Sequence, residues 1–350
     1  MILAIESSCD ESALALFDPK RGIIIERISS QIELHSEYGG VVPDLASREH
    51  LNNFPLLLKE LELEKYADQF SHVAVTNGPG LAGCLAMGGI LAKSIAFVYG
   101  LPIITINHLR GHAWSPFISL HENDPKGFKS KLEAQLPHLG LIVSGGNTVL
   151  FEIDTSLSIH ILAETVDDAA GEALDKGGKL LGLAYPAGPR IEILAREGDS
   201  NYTEFPKAMG NRKDKRFSFS GLKTSLRYKL DKMKQSDIDG NLSSICAAYQ
   251  EAVFHQLIKK TGQFIIEGNY KSFGLSGGVA NNLNLKNKFN KLSSSHGIPF
   301  YSALSKHSGD NAGMIAFAGF IDLEYSLETQ QNDFVNIEPS LSNITRILGY

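Results

Sequence analysis

The chain has 350 residues, of which 43% are hydrophobic and 21% charged. This composition can bury full cores and excludes a disordered, collagen-like or disulfide-stapled chain. The length exceeds what one hydrophobic core usually serves, so two domains or two lobes are expected. A net charge of -6 excludes nucleic-acid binding by bulk positive charge and leaves only local basic faces for it. Cys9, Cys84 and Cys246 are far apart and form no C-x-x-C pair, which fits a reducing compartment and not a cysteine zinc site. The opening MILAIESSCDES carries Glu6, Asp10 and Glu11 without a basic run, unlike a signal or transit peptide. The apolar stretches Leu81 to Ala92 and Ser94 to Ile106 are split by Lys93, and each is shorter than the roughly 20 residues of a membrane span. The expectation is a soluble cytoplasmic protein with no membrane partner.

In chain order, MILAIES, SALALFD and GIIIERIS read as a meander of three strands, joined by polar turns. Residues 43–63 have helical spacing of Leu45, Leu51, Phe54, Leu57 and Leu58 behind Pro43, despite the internal Pro55. HVAVTN is a further strand, residues 80–100 a buried helix and LPIITIN another strand. Alternation of this kind predicts an α/β sheet with covered faces. The polar, prolyl segment 121–137 reads as a linker between lobes, with an N-terminal lobe over 1–125, completed by the C-terminal helix around 310–327, and a C-terminal lobe over 138–309. The run HLGLIVSGGNTVLFEID repeats the strand-turn-strand opener of the amino terminus, as duplicated halves would. Helices are expected over 167–183, 242–266 and 311–327, with SFGLSGG as strand and turn. The Asn- and Gln-rich tail 328–350 reads as peripheral.

Turns after apolar strands are the first candidates for chemistry, because their backbone N-H groups can face a phosphate without a side chain in the way. Ser144-Gly145-Gly146-Asn147-Thr148, Ser276-Gly277-Gly278-Val279 and the glycine-free turn Ser8 to Ser12 all qualify. Gly78-Pro79-Gly80-Leu81-Ala82-Gly83 matches G-x-G-x-x-G literally. It follows the wrong strand, and the next strand ends at Asn107-His108 without the ribose-binding acid, so it is not a dinucleotide fingerprint. No G-x-x-x-x-G-K-[ST] sequence occurs, so any nucleotide is held by another architecture.

His108 and His112 in HLRGH would share one helical face at a spacing one metal ion can bridge. The metalloprotease pattern needs Glu after the first histidine, whereas Leu109 stands there. Asp310, at a predicted helix start, is a candidate third ligand, although a helix N-cap explains an Asp there equally well. Asp167, Asp168, Glu172 and Asp175 follow one helix start, where acids are favoured in any case. The basic clusters Lys126 to Lys131 and Arg212 to Arg216 are the candidate phosphate-contact faces.

Taken together these motifs resemble the tRNA threonylcarbamoyladenosine synthesis family, the threonylcarbamoyl transferases once described as O-sialoglycoprotein endopeptidases. The matching segments run in order from IESSCDES and YGGVVPDLASREH through NGPGLAGCL, NHLRGH, VSGGNT, DDAAGEALDKGGKLLGL and YPAGP to FSFSGLKTSL, SGGVANN and GDNAGMIA. The resemblance implies an actin-like α/β fold, shared with sugar kinases and chaperone ATPases, whose two duplicated lobes surround a nucleotide cleft. It implies one divalent metal on His108, His112 and Asp310, with Fe2+ expected and Zn2+ the alternative. It places substrate contacts on Ile142, Val143, Ser144, Gly145, Gly146, Asp175, Gly188 and Asn282. Ser8, Asp10, Glu11, Glu172, Gly277 and Gly278 are further candidates for an ATP- or ADP-type nucleotide and the cleft; no catalytic base is assigned.

The implied activity is transfer of threonylcarbamoyl from threonylcarbamoyl-AMP to N6 of the adenosine 3' of the anticodon, in tRNAs reading codons that begin with adenine. The implied partners are tRNA, threonylcarbamoyl-AMP synthase and, in bacteria, a paralogous dimerising subunit and a small P-loop ATPase. Departures from the family pattern are Asn147 where many bacterial members carry His, Ala187 where many carry Gly, and the glycine-rich Lys176 to Lys179. The alternatives are an ATP-dependent kinase of the same superfamily, which would not need the histidine pair, and a non-catalytic scaffold paralogue, which would have lost it.

Overall fold

The computed structural model describes residues 1–206, 214–325 and 335–340. The chain divides into two compact units: Met1–Ala134 together with the chain from Ala303 onward, and Gln135–Ser302.

The first unit opens with the meander β1 (Ile2–Glu6), β2 (Glu11–Asp18) and β3 (Gly22–Ser30). The helices α1 (Ile32–Ser36) and α2 (Pro43–Leu61) follow, then β4 (His72–Gly78), α3 (Ala82–Tyr99), β5 (Ile103–Asn107) and α4 (His108–Trp114). The sheet order is β3-β2-β1-β4-β5, with β1 antiparallel to β2 and parallel to β4, and β4 parallel to β5. All five residues of β1 are buried, as expected for a central strand covered on both faces. Pro43 starts α2 and Glu62, in the left-handed conformation with φ 49°, ends it. Lys93 does not split the apolar run that follows β4. It lies exposed on α3, one continuous helix of 18 residues, long and apolar enough by length and composition to cross a membrane. In this unit α3 packs on β4, α2, β1 and β5.

The segment expected to be a linker is instead largely helical, as α5 (Ile118–Asn123) and α6 (Phe128–Glu133). Phe128 and Leu132 are buried, and Phe128 joins a cluster of rings with His121, Phe317 and Phe320. Two apolar residues four apart in a polar stretch anchor a short helix.

The second unit contains β6 (His138–Val143), β7 (Thr148–Ile153), β8 (Ile159–Glu164), α7 (Ala170–Leu180), α8 (Ala187–Ala195), α9 (Ser220–Leu230) and α10 (Gln235–Gly240). It continues through α11 (Leu242–Glu267), β9 (Ser272–Ser276), α12 (Leu283–Ser295) and β10 (Phe300–Ser302). Its sheet reads β8-β7-β6-β9-β10, with β6 antiparallel to β7 and parallel to β9, and β9 parallel to β10. Position for position this is the topology of the first sheet, so the repeated opener marks a duplicated strand plan. Tyr249, Phe254, Leu257, Phe273 and Phe289 centre its core.

The chain then returns to the first unit with α13 (Ser305–Ser308) and α14 (Ala312–Glu324). Residues 303–309 therefore belong with the first unit. Every residue of α14 from Ala312 to Asp322 is buried, the pattern of a helix apolar on all sides, and it packs on β1, β2 and α4. Of the tail, residues 335–340 are described. The Glu338 N-H donates to the Asn77 carbonyl at 2.7 Å, and the Gly80 N-H donates to the Pro339 carbonyl at 3.1 Å.

Candidate functional site

Ser8 and Asp10 follow β1 and His108 follows β5, at the carboxyl ends of parallel strands, the usual location of ligand sites in α/β sheets, whereas Glu11 opens the antiparallel β2 and Asp310 precedes α14. Asn107 ends β5 and caps α4, its side chain accepting the Arg110 N-H at 3.1 Å. The cap starts the helix at His108, so both histidines fall on one face. Asp310 precedes α14, where Asn311 takes the N-cap role by accepting the Met314 N-H at 2.8 Å. With capping assigned to Asn311, the Asp310 carboxylate is left for the histidines. Its Oδ1 lies 3.0 Å from His112 Nε2 and 3.4 Å from His108 Nε2.

One candidate ligand atom from each of the three residues lies within 4.8 Å of the others. Two ligands each about 2.1 Å from one tetrahedral ion would be about 3.4 Å apart, so these three could hold a metal ion. The donor set of two imidazoles and a carboxylate suits iron and zinc alike.

The electrostatics support the fit. Burial works against a charged His108 ring, but the Asp310 and Glu6 carboxylates more than offset it and hold its pKa well above the usual histidine value. Burial keeps His112 below its usual value. Burial would also raise Asp310, yet the two rings hold it well below the carboxylate range. A positive site already compensated by anions can exchange a proton for a cation. His112 Nδ1 is buried and has no hydrogen-bond partner among the described residues.

Glu6, at the end of β1, was not among the sequence candidates. Its Oε2 lies 3.1 Å from His108 Nδ1 and also accepts from the Thr76 hydroxyl, while Oε1 accepts the Ser8 N-H. A fully buried acid ending an apolar strand, in ILAIE, was the available signal. Ser8 is buried, with Oγ 3.2 Å from His108 Nδ1. Asp10 is buried and its carbonyl accepts the Gln31 N-H. Glu11 accepts from the Ser30 hydroxyl, and burial together with Asp10 pushes its carboxyl well above the usual range.

In the second unit, Ile142 and Val143 are buried in β6, and the loop after them turns at Ser144. The Ser144 N-H donates to the Asn147 carbonyl, and the Asn147 N-H to Ser144 Oγ. Gly145 and Gly146 are exposed, and a Cβ on either would meet nothing within 4 Å. Gly277, at the end of the neighbouring strand β9, has φ +91°, and a Cβ there would sit 2.4 Å from the Val143 carbonyl oxygen. Its glycine is thus required by packing, whereas Gly278 faces open space.

Asp175 Oδ1 accepts the Ala187 and Gly188 N-H groups at 2.7 and 3.2 Å, tying α7 to the start of α8, and burial raises its pKa. Asn282 caps α12 and donates to Gln250 at 2.8 Å. Glu172 pairs with Lys176. Each of these polar candidates therefore also has a local structural task. Of the departures at 176–179, Gly178 goes with Ala187, since a Cβ on Gly178 would lie 2.2 Å from Ala187 Cβ, while a Cβ on Gly177 would lie 2.2 Å from the Tyr249 ring. The Ala187 side chain is buried against Gly178 and does not line the loop.

Of the basic clusters, Lys131 pairs with Asp124, Lys215 with Glu267 and Arg216 with Asp214. Arg212 and Lys213 lie outside the described residues.

Two units with one strand plan, one of them carrying two buried histidines beside a half-buried aspartate, define a two-lobe α/β protein with an actin-like fold. Solved structures agree on the fold. The likeness to T. kodakarensis HypF has a TM-score of 0.61 at 14% identity over 95% of this chain and 49% of that one. For component A of (R)-2-hydroxyglutaryl-CoA dehydratase from Acidaminococcus fermentans the TM-score is 0.53 at 11% identity, over 93% and 98%. The sequence model for tRNA N6-adenosine threonylcarbamoyltransferase matches residues 22–317. Relatives with that name include those of Fervidobacterium nodosum, 37% identical over 97% of each chain, and Thermosipho africanus, 38% identical over 91% of this chain and 93% of the relative. The chain belongs to the tRNA N6-adenosine threonylcarbamoyltransferase family and is a transferase of tRNA modification.

Proposed function

We propose that this protein transfers threonylcarbamoyl from threonylcarbamoyl-AMP to N6 of the adenosine 3' of the anticodon, in tRNAs that read codons beginning with adenine. The observation that carries the reading is the convergence of His108 Nε2, His112 Nε2 and Asp310 Oδ1 in one cluster of two buried histidines and a half-buried aspartate, in a chain of this transferase family.

In the reaction, the N6 amine attacks the carbamoyl carbon. A C-N bond forms, the C-O bond to the phosphate breaks, AMP leaves and the amine loses a proton. The donor is a mixed anhydride, so its carbonyl is already activated and the protein's task is to position and polarise. A metal on His108, His112 and Asp310, with iron preferred over zinc, would supply Lewis-acid stabilisation of developing negative charge. Glu6 fixes the orientation of the His108 ring and directs Nε2 toward Asp310. The open turns at Gly145-Gly146 and Gly278 leave space for phosphate or ribose beside backbone N-H groups. In this reading Ile142, Val143, Asp175, Gly188 and Asn282 are the substrate contacts of the second unit, Glu172 and Gly277 are its nucleotide contacts, and Ser8, Asp10 and Glu11 are the nucleotide candidates of the first unit.

The working assembly in this proposal is cytoplasmic and includes an adenylate-forming synthase and, in a bacterial setting, a paralogous dimerising subunit and a small P-loop ATPase. A chain of charge -6 binds tRNA through local contacts shared with these partners, and weakly on its own. The test is reconstitution with those partners, tRNA, threonine, bicarbonate and ATP, followed by nucleoside mass analysis. The modified adenosine is expected with wild-type protein and not with His108→Ala; full modification by that variant contradicts the proposal.

A further inference from the structure

Between the two histidines on α4 stands Arg110, and on the last turn of α14, the helix that follows Asp310, stands Asp322. Their side chains form an ion pair with only 1% and 2% of each residue exposed. Arg110 Nε lies 3.0 and 3.1 Å from the two Asp322 oxygens, and Nη2 makes a further short contact with Oδ1. The guanidinium is 5.8 Å from the centre of the Trp114 ring, and Nη1 has no hydrogen-bond partner among the described residues.

A buried pair with a donor left over is a poor stability device. Desolvating both charges costs about as much as their attraction returns, and a well-packed apolar pair often serves stability equally well. What the pair has that an apolar contact lacks is direction, because a fork on a carboxylate fixes one register. The apolar contact between these helices is close: a Cβ on Gly111 would lie 3.0 Å from Ile315 and 3.1 Å from Met314. Apolar surfaces of that kind can slip. A slip by one residue moves ligands by about 1.5 Å along a helix, whereas metal ligands tolerate about 0.2 Å.

We propose that Arg110 and Asp322 are positioning residues for the metal centre. Their ion pair locks α4 onto α14 in the one register that brings His108 and His112 to Asp310. The proposal rests on the metal reading of that cluster.

The test uses the full-length protein stripped of metal and titrated with Co2+, in wild type, His108→Ala and the double variant Arg110→Met with Asp322→Leu. Wild type is expected to bind one equivalent with a ligand-field absorption band that His108→Ala abolishes. The double variant is expected to keep its circular dichroism and cooperative melting, to bind Co2+ roughly 10–100-fold more weakly and to show an altered band. Wild-type affinity and band shape in the folded double variant would overturn the proposal while leaving the metal reading intact. Loss of the fold would overturn it too, since the pair would then be a stability element. Wild-type protein that takes up no Co2+, or binding that His108→Ala leaves unchanged, would instead remove the metal reading itself and the proposal with it.

Discussion

Glu6 accepts a hydrogen bond from Nδ1 of His108 at 3.1 Å, from inside the first strand of the sheet. The bond sets the ring's orientation and raises its basicity toward whatever Nε2 meets. Burial pushes the Glu6 carboxyl up, but the His108 ring and the Thr76 hydroxyl more than offset this and keep it below its usual value.

Replacing Glu6 by Gln keeps the shape and one acceptor for the Ser8 N-H, while the amide NH2 takes the place of the oxygen that accepts from Thr76 and faces His108, and the anion is removed. We expect E6Q to remain folded and to lose roughly 10–100-fold in metal affinity, measured by titration of metal-free protein. Unchanged affinity would mean that Glu6 is only part of the core.

Metal uptake should release a proton. Burial works against the charged His108 ring, but Asp310 and Glu6 hold its pKa well above the usual value, which favours the protonated ring in the metal-free protein, and an ion on Nε2 must displace that proton. The sign is that affinity falls as pH falls, by about tenfold per unit once His108 is fully protonated. Calorimetry in buffers of different ionisation enthalpy counts the protons; a count of zero at pH 7 contradicts this account.

His138 gives the stability of the second unit a pH dependence of its own. It is fully buried beside Ser272 at 2.6 Å, and burial lowers its pKa to about 3. The unfolded chain takes up a proton near pH 6.5, so the unfolded state binds more protons between those values. Its contribution is therefore complete above pH 6.5 and falls on acidification, by up to about 1.4 kcal/mol per unit, until about pH 3. Denaturant midpoints should follow this slope in wild type and flatten in His138→Phe over pH 6.5 to 4.

Gly277 and Gly278 are adjacent and should respond oppositely to Ala. Gly277 is at φ +91° against the Val143 backbone, so Gly277→Ala should cost about 1–3 kcal/mol of stability. Gly278 has open space around it, so Gly278→Ala should change stability by no more than about 0.5 kcal/mol while weakening nucleotide binding. Chemical denaturation and nucleotide titration separate the two effects.

The strand plan was readable because apolar runs such as ILAI and LGLIV are bounded by polar turns, and the HLRGH spacing was readable because i and i+4 share a helix face. Reading Lys93 as a break failed because one exposed lysine is tolerated on the outer face of α3. Phe128 and Leu132 were hidden in a charged segment because a short helix needs only two apolar anchors. Glu6 and the Arg110–Asp322 pair depend on partners 102 and 212 residues away, and no local pattern encodes such distances. Asp175 and Asn282 carry local bonds that the linear motif does not distinguish from substrate contacts.

The most direct test of the central claim is a single-turnover reaction with preformed threonylcarbamoyl-AMP, tRNA and the partner proteins, comparing metal-free and metal-refilled wild type with His112→Ala. The account predicts one AMP released per adenosine modified by refilled wild type, and loss of both products in metal-free protein and in the variant. Equal yields of modified adenosine from metal-free and refilled wild type would contradict it.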